Sequence, residues 1–204
     1  MAIEHQTIEI FSYYWWLSNT LTIIIISFIL FISYRLSMKH KIYIAYFISF
    51  ILILRTIIIH PYHIWIGDWT YLSHLPLHLC GLSAILSGIV LIYKKQILYE
   101  LLLFWGISGA FHSLLTPEFT GGNQGILFIE YYISHGGIIL SALYLTIIFG
   151  MRPRIGSWYK IWLYSQLLLP VIGGINYLID ANYMYLCKAP LVSNPLIIGD
   201  WPWY

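Results

Sequence analysis

The chain has 204 residues, of which 60% are hydrophobic and 9% are charged, and its formal net charge is +2. Soluble domains carry about a quarter charged residues, so this composition, with a mean hydropathy of +0.78, excludes a water-soluble globule and indicates an integral membrane protein. The small net charge gives no electrostatic basis for nucleic-acid binding, and we predict no nucleic-acid partner.

Six apolar segments follow one another along the chain, and each is close to the ~20 residues that a helix needs to cross a ~30 Å hydrocarbon core. We predict transmembrane helices at 16–34, 42–60, 75–93, 97–115, 128–148 and 159–179. The predicted fold is therefore an all-α, polytopic transmembrane bundle that forms a single domain over 1–204. Residues 180–204 follow the last helix as a C-terminal segment.

The connections between these helices differ in charge. Eight of the ten basic residues fall in or beside the connections on one side, namely Arg35, Lys39, Lys41, Lys94, Lys95, Arg152, Arg154 and Lys160. Acidic residues fall on the other side: Glu4, Glu9, Asp68, Glu118, Asp180 and Asp200. The positive-inside rule makes the basic side cytoplasmic, which predicts a multi-pass protein of the cell membrane with both termini outside.

Polar side chains gather at one depth in the outer halves of five predicted helices. They are Arg55, Cys80, His112, Glu130, His135, Asn176 and Asp180. Ionisable residues at a membrane-helix centre cost about 2.5–3.5 kcal/mol each on insertion scales, and they normally face a cavity or one another. The convergence predicts a polar pocket that opens toward the exterior.

The stretch HLPLHLCGL, residues 74–82, lies at the predicted start of the third helix. Pro76 suits the first turn of a helix, which would place Cys80 just past that turn, near the positive end of the helix dipole, where a thiolate is favoured. A catalytic base would then come from another helix, with His112 and His135 as the candidates. Cys80 also has two simpler interpretations, as a small buried apolar residue or as the partner of Cys187 in a disulfide.

A metal site is the main alternative to thiol chemistry. Four histidines are potential zinc ligands, namely His74, His78, His112 and His135. Three ligands would suffice for a hydrolytic zinc site with an open coordination position. The thiol hypothesis needs no cofactor, whereas this alternative predicts zinc in an intramembrane lipid hydrolase.

Several motifs resemble those of the bacterial YwaF-type integral membrane proteins over roughly residues 70–204. The motifs are HLPLHLCGLSAIL, FWGISGAFHSLLTPEF, ISHGGIILSALYL, NYMYL and WPWY. That group is similar, more distantly, to an animal transmembrane acyltransferase family that remodels ether phospholipids through a cysteine acyl-thioester. Cys80 in LHLC matches its His-x-Cys stretch, and His135 in SHGG looks like the histidine of its Gln-His-Ala stretch. The bacterial proteins usually continue past WPWY into a further membrane helix, so the resemblance implies that a seventh helix is absent here or truncated.

The resemblance implies a phospholipid acyltransferase or acyl hydrolase in which Cys80 is the nucleophile and His135 the base. Its substrates would be membrane phospholipids and lysophospholipids. Arg55 would hold the phosphate, and His112 or helix-end N–H groups would stabilise the oxyanion. The remaining predicted substrate-binding residues are His78, Glu130 and Asn176. A non-enzymatic accessory protein or a transporter stays open, although the inner halves of the helices carry few of the polar groups that a transport path needs.

Overall fold

The computed structural model describes residues 6–119, 122, 125–190 and 199, and within these ranges the chain forms six helices and one pair of very short strands. In chain order the elements are β1 (Gln6–Thr7), α1 (Tyr13–Arg35), α2 (Met38–Ile66), α3 (Leu79–Tyr93), α4 (Gln96–Leu115), β2 (Glu118–Phe119), α5 (Gly125–Ile148) and α6 (Ser157–Ile179). Two of the helices include a π-helical turn, at Leu102–Gly106 in α4 and at Tyr144–Ile148 in α5. A 3₁₀ turn at Tyr183–Tyr185 follows α6.

Five of these helices are long and apolar enough to cross a membrane by length and composition, namely α1, α2, α4, α5 and α6. The prediction of an all-α membrane protein is therefore confirmed, and the prediction of six spanning helices is supported for five of them. The predicted third span differs, because α3 has 15 residues. At ~1.5 Å per residue it is about 22 Å long, which is shorter than the ~30 Å hydrocarbon core.

Local chemistry explains where α3 and α2 depart from their predicted bounds. The helix α3 begins at Leu79 instead of residue 75, and the backbone of Pro76 turns back onto Gly81, to within 3.0 Å of where a β-carbon at Gly81 would lie. The helix α2 continues past Pro61 to Ile66, six residues beyond its predicted end. A proline removes one helical hydrogen bond without necessarily ending a helix, and α2 ends at Gly67, whose φ of 78° is readily available to glycine.

Two ends of the bundle are distinguished by their connections. At one end, which we call the site end, lie the strand pair, the 67–78 segment between α2 and α3, and the residues after α6; Gln6 pairs with Phe119 in an antiparallel register. At the other, the basic end, the Tyr144 hydroxyl donates to the carbonyl of Lys41. The assignment of the basic end to the cytoplasm stays a prediction. Two of the acidic residues on which it rests, Glu4 and Asp200, lie outside the described residues, as does the WPWY motif.

The core surrounds α3, which packs against α2, α4 and α5. The fully buried residues include Val90 and Leu91 of α3 and Tyr99 of α4. The outer faces of α1, α2 and α6 expose large apolar side chains such as Phe28, Phe47 and Leu167. Lipid would cover these faces, as expected for membrane helices.

Candidate functional site

Cys80 lies in the first turn of α3, two residues after the N-cap residue His78. Its Sγ atom is 3.3 Å from the Oγ atom of Ser113, near the end of α4. The Ser113 hydroxyl also donates to the carbonyl of Gly109 at 3.0 Å, which leaves its oxygen to accept the thiol proton. A β-carbon at Gly109 would lie 3.3 Å from Sγ, so the glycine allows the thiol to approach α4 closely.

Tyr131 of α5 connects this thiol to His135. Its hydroxyl donates to the carbonyl of Ser113 at 2.7 Å, and its ring lies against the His135 ring with 4.1 Å between centroids. Nδ1 of His135 is 2.7 Å from the carbonyl oxygen of Tyr131. Because a carbonyl can only accept, this nitrogen carries the proton, and Nε2 of a neutral ring has the free lone pair.

Tyr185 and Glu118 form a further polar pair near Cys80. The Tyr185 hydroxyl hydrogen-bonds the side chain of Glu118 and lies close enough to Cys80 for electrostatic interaction. Burial raises the pKa of the Tyr185 phenol, with Glu118 as a further cause, so the phenol stays protonated at neutral pH. The ring of His78 packs against Tyr185 with 5.4 Å between centroids, and its Nδ1 accepts from the backbone N–H of Met184 at 3.2 Å.

Two of the predicted substrate-binding residues pair with each other. The Arg55 guanidinium of α2 contacts the Glu130 carboxylate of α5 through both Nε and a terminal nitrogen. The side chains are 21% and 18% exposed, so the ion pair is partly accessible. It joins α2 to α5 at the same end of the bundle as Cys80.

Two further predicted substrate-binding residues, His112 and Asn176, lie near helix ends. His112 lies in the last turn of α4, where its carbonyl accepts from the backbone N–H of Thr116 at 2.9 Å, and its half-buried side chain is one residue from Ser113. Asn176 of α6 is almost fully buried, and its amide pairs with both backbone groups of Tyr183, at 2.9 Å and 2.8 Å. The Asn176 side chain thereby fastens the turn after α6.

The four histidines of the alternative zinc site do not form a group in this structure. Among the residues that the structure describes, the metal-ligand cluster is His63, Asp68 and His74, which contains one of the four. Burial lowers the pKa of His74, and the neighbouring His63 lowers it further. Both cysteines, Cys80 and Cys187, are free thiols, so the disulfide interpretation has no support here.

An apolar groove of about 610 Å³ opens between α1, α2 and α5. Tyr132, Gly136 and Leu140 line it from α5, and by helical spacing they lie on a different face from Tyr131 and His135. Cys80, Tyr131 and His135 do not line this groove.

The comparison with known families gives one match. The model of the TMEM164 family matches residues 6–204. The chain belongs to the TMEM164 family. No curated protein and no solved structure matches it.

Sequence reasoning missed several neighbours of Cys80 in this TMEM164 family member. Ser113 and Glu118 follow Cys80 by more than 30 residues and Tyr185 follows it by more than 100, so no local spacing places them near the thiol. Tyr131 is four residues before His135, and this spacing indicates a shared helix face but not a contact with the surroundings of Cys80. The group of His63, Asp68 and His74 was also missed, although the dense run of histidines at 60–78 is a sequence signal for it.

Proposed function

We propose that this protein is a phospholipid acyltransferase or acyl hydrolase embedded in the cell membrane, with Cys80 as nucleophile and His135 as general base. The observation that carries the proposal is the chain of contacts from Cys80 to Ser113, from Ser113 to Tyr131 and from Tyr131 to His135. The resemblance to bacterial YwaF-type proteins, and through them to a cysteine-dependent acyltransferase, supports the same two residues. We place the site end outside the cell, following the distribution of basic residues.

The position of Cys80 supports its role as a nucleophile. As the second residue of α3 it lies where backbone N–H groups have no helical partner and the helix dipole is positive. These two features favour a thiolate and the oxyanion of an acyl intermediate, whereas burial of the sulfur favours the neutral thiol, so the mechanism needs a base. Its hydrogen-bond partner is the hydroxyl of Ser113, so the thiol has a polar neighbour within a largely apolar bundle.

The position of His135 supports its role as a base. Its Nδ1 is fixed by the Tyr131 carbonyl, which sets the ring orientation and leaves Nε2 to accept a proton. Within the described residues Cys80 and His135 make no direct hydrogen bond. The Tyr131 side chain lies between them: its hydroxyl bonds Ser113, the partner of Cys80, and its ring packs on His135. Proton transfer therefore requires a bridging water or a movement of the Tyr131 ring, and catalytic hydrogen bonds commonly tighten only when substrate is bound.

The reaction proceeds in two halves. His135 accepts the thiol proton, and the Cys80 sulfur attacks the carbonyl carbon of an acyl ester. A carbon–sulfur bond forms, the ester carbon–oxygen bond breaks, and His135 returns the proton to the departing glyceryl oxygen. In the second half His135 accepts the proton of a lysophospholipid hydroxyl, or of water, as its oxygen attacks the thioester carbon. A carbon–oxygen bond forms, the carbon–sulfur bond breaks, and His135 returns the proton to the Cys80 sulfur.

Arg55 is the residue that we assign to the lipid phosphate. Arginine binds phosphate through paired N–H groups, and the partly exposed Arg55 lies at the site end on α2. In this structure the Glu130 carboxylate is bound to the Arg55 guanidinium, so a lipid phosphate would have to displace it. Of the other predicted contacts, His112 is beside Ser113 and His78 is beside Tyr185, whereas both polar atoms of the Asn176 amide already bond Tyr183.

The test is acyl labelling of purified protein in nanodiscs that contain phosphatidylcholine with alkyne-tagged acyl chains. We expect a covalent label that neutral hydroxylamine removes, because a thioester is cleaved under those conditions. The Cys80→Ala variant should carry no such label. The Cys187→Ala variant removes the exposed free thiol and serves as the matched control, with labelling equal to wild type.

Equal labelling of wild type and Cys80→Ala would refute the thioester mechanism. A label that resists hydroxylamine in the wild type would refute it as well. Transfer of the tagged chain to added lysophospholipid would establish a transferase, whereas release of free tagged fatty acid would establish a hydrolase.

A further inference from the structure

A cluster of three potential metal ligands lies at the site end, between the last turn of α2 and the 67–78 segment. The ligand atoms of His63, Asp68 and His74 all lie within 4.8 Å of one another. Nδ1 of His63 is 2.8 Å and 3.0 Å from the two carboxylate oxygens of Asp68. The rings of His63 and His74 have 4.3 Å between centroids.

The local fold holds these groups together before any ligand binds. The carbonyl of His63 accepts from the backbone N–H groups of Asp68 and Trp69, at 3.1 Å and 3.2 Å, in the turn that Gly67 makes with its positive φ. The next turn brings His74 back, because its N–H donates to the carbonyl of Thr70 at 3.0 Å. The geometry is thus fixed by backbone hydrogen bonds and not by the three side chains alone.

Burial and hydrogen bonding point to a ligand at this place. The side chains of His63 and Asp68 are 9% and 3% exposed, and a buried carboxylate is costly unless a positive charge compensates it. The Nε2 atom of His74 is buried and has no hydrogen-bond partner among the described residues. A buried polar nitrogen without a partner costs about 1–3 kcal/mol. A metal ion would compensate the Asp68 carboxylate and bind Nε2 of His74 at the same time.

We propose that His63, Asp68 and His74 bind one divalent transition-metal ion, with zinc the metal that the donor set favours. Zinc accepts imidazole nitrogen and carboxylate oxygen at about 2.0–2.2 Å, which puts neighbouring ligands of a tetrahedral ion about 3.3 Å apart. The ligand atoms now lie within 4.8 Å of one another, so binding of one ion would draw them closer together. Three protein ligands leave one coordination position for water or a further group.

Binding through Nε2 of His74 also requires a change of tautomer. Nδ1 of this ring is 3.0 Å from the Ser73 hydroxyl and 3.2 Å from the N–H of Thr70. With the metal on Nε2, Nδ1 would carry the proton and donate to the Ser73 hydroxyl, which can accept. The Thr70 N–H, which now donates to Nδ1, would lose this acceptor. A ligating histidine that donates its other N–H to an oxygen is the usual arrangement at metal sites.

This ion would fasten the 67–78 segment to α2 and thereby fix the start of α3. The experiment is metal analysis of the full chain, purified in detergent, stripped with EDTA, incubated with Zn²⁺ and desalted. We expect about one zinc per chain for the wild type, and a thermal midpoint that rises with added Zn²⁺. Each of His63→Gln, Asp68→Asn and His74→Gln should lose the bound zinc and the rise.

The control is His40→Gln, which removes an exposed histidine at the basic end. It should bind zinc as the wild type does, and so should Cys80→Ala, because that thiol is outside the cluster. Substitution of the wild type with Co²⁺ provides a second measurement that needs no variant, since visible d–d bands report nitrogen and oxygen ligation in a low-symmetry site. Absence of stoichiometric zinc and of those bands, or equal zinc in wild type and all three ligand variants, would overturn the proposal. Neither readout depends on acyl transfer.

Discussion

The Sγ atom of Cys80 lies 3.3 Å from the Oγ atom of Ser113, which itself donates to the carbonyl of Gly109. The thiol of α3 is thus held against α4 by a hydroxyl that is already oriented by its own helix. In the proposed mechanism Ser113 is a positioning residue, since it contacts the nucleophile and does not react.

Replacing Ser113 by alanine should slow acylation of Cys80 by roughly 5-fold, because one hydrogen bond contributes about 1 kcal/mol. The rate of hydroxylamine-sensitive labelling from tagged phosphatidylcholine measures this effect. The Ser113→Thr variant keeps the hydroxyl and should retain most of the rate. Equal loss in both variants would show that the hydroxyl does not matter and that only packing was disturbed.

Replacing His135 by asparagine should lower the labelling rate by about 10²–10⁴-fold, the usual contribution of a general base. Asparagine keeps a polar side chain in the buried position beside Tyr131, so the fold is expected to persist, as circular dichroism can verify. The His40→Asn variant, at the exposed position on α2, is the matched control. A rate within 2-fold of wild type for His135→Asn would exclude this histidine as the base.

At the basic end, Glu100 is a buried carboxylate that accepts three hydrogen bonds from Arg154, at 2.9 Å, 2.9 Å and 2.7 Å. Replacing Glu100 by glutamine removes the charge, and hydrogen bonds to charged groups contribute about 1.5–3 kcal/mol each. Because Arg154 is half exposed, we expect a total loss of about 2 kcal/mol. The fall in thermal midpoint in detergent measures it, and Lys39→Gln, at an exposed basic residue, should leave that midpoint almost unchanged.

Gly81 of α3 lies against the backbone of Pro76 in the segment before this helix. A β-carbon there would lie 3.0 Å, 3.2 Å and 3.3 Å from backbone atoms of Pro76, which cannot move aside as a flexible side chain does. Replacing Gly81 by alanine should therefore destabilise the protein by about 1–3 kcal/mol, as overpacking does. In Gly174→Ala, the control, the new β-carbon meets nothing within 4 Å, and the thermal midpoint should stay level or rise.

The sequence was sufficient to predict the long apolar helices, because their length and composition follow directly from the thickness of a bilayer. It was less informative for α3, whose late start depends on the contact between Pro76 and Gly81 across a turn. Helix order predicts that Cys80 and His135 lie at one depth, but it does not predict their neighbours. Ser113 and Tyr131 meet the thiol only through packing of α3, α4 and α5, and no periodicity within one helix encodes that arrangement.

The cluster of His63, Asp68 and His74 illustrates the same limit. Asp68 reaches His63 because Gly67 adopts a positive φ, and His74 returns through a second turn. Two successive turns bring the three side chains together, whereas the sequence analysis grouped His74 with His78, His112 and His135 as potential zinc ligands.

The strand pair between Gln6 and Phe119 has a consequence for how the protein is made. Trp15 reinforces the pairing by donating from its indole to the carbonyl of Leu115, a residue 100 positions later. During synthesis α1 is complete long before Leu115 and Phe119, the partners of Trp15 and Gln6, emerge from the ribosome. The amino-terminal strand therefore has no partner while α2, α3 and α4 are synthesised, and it can pair only after the residues that follow α4 have emerged.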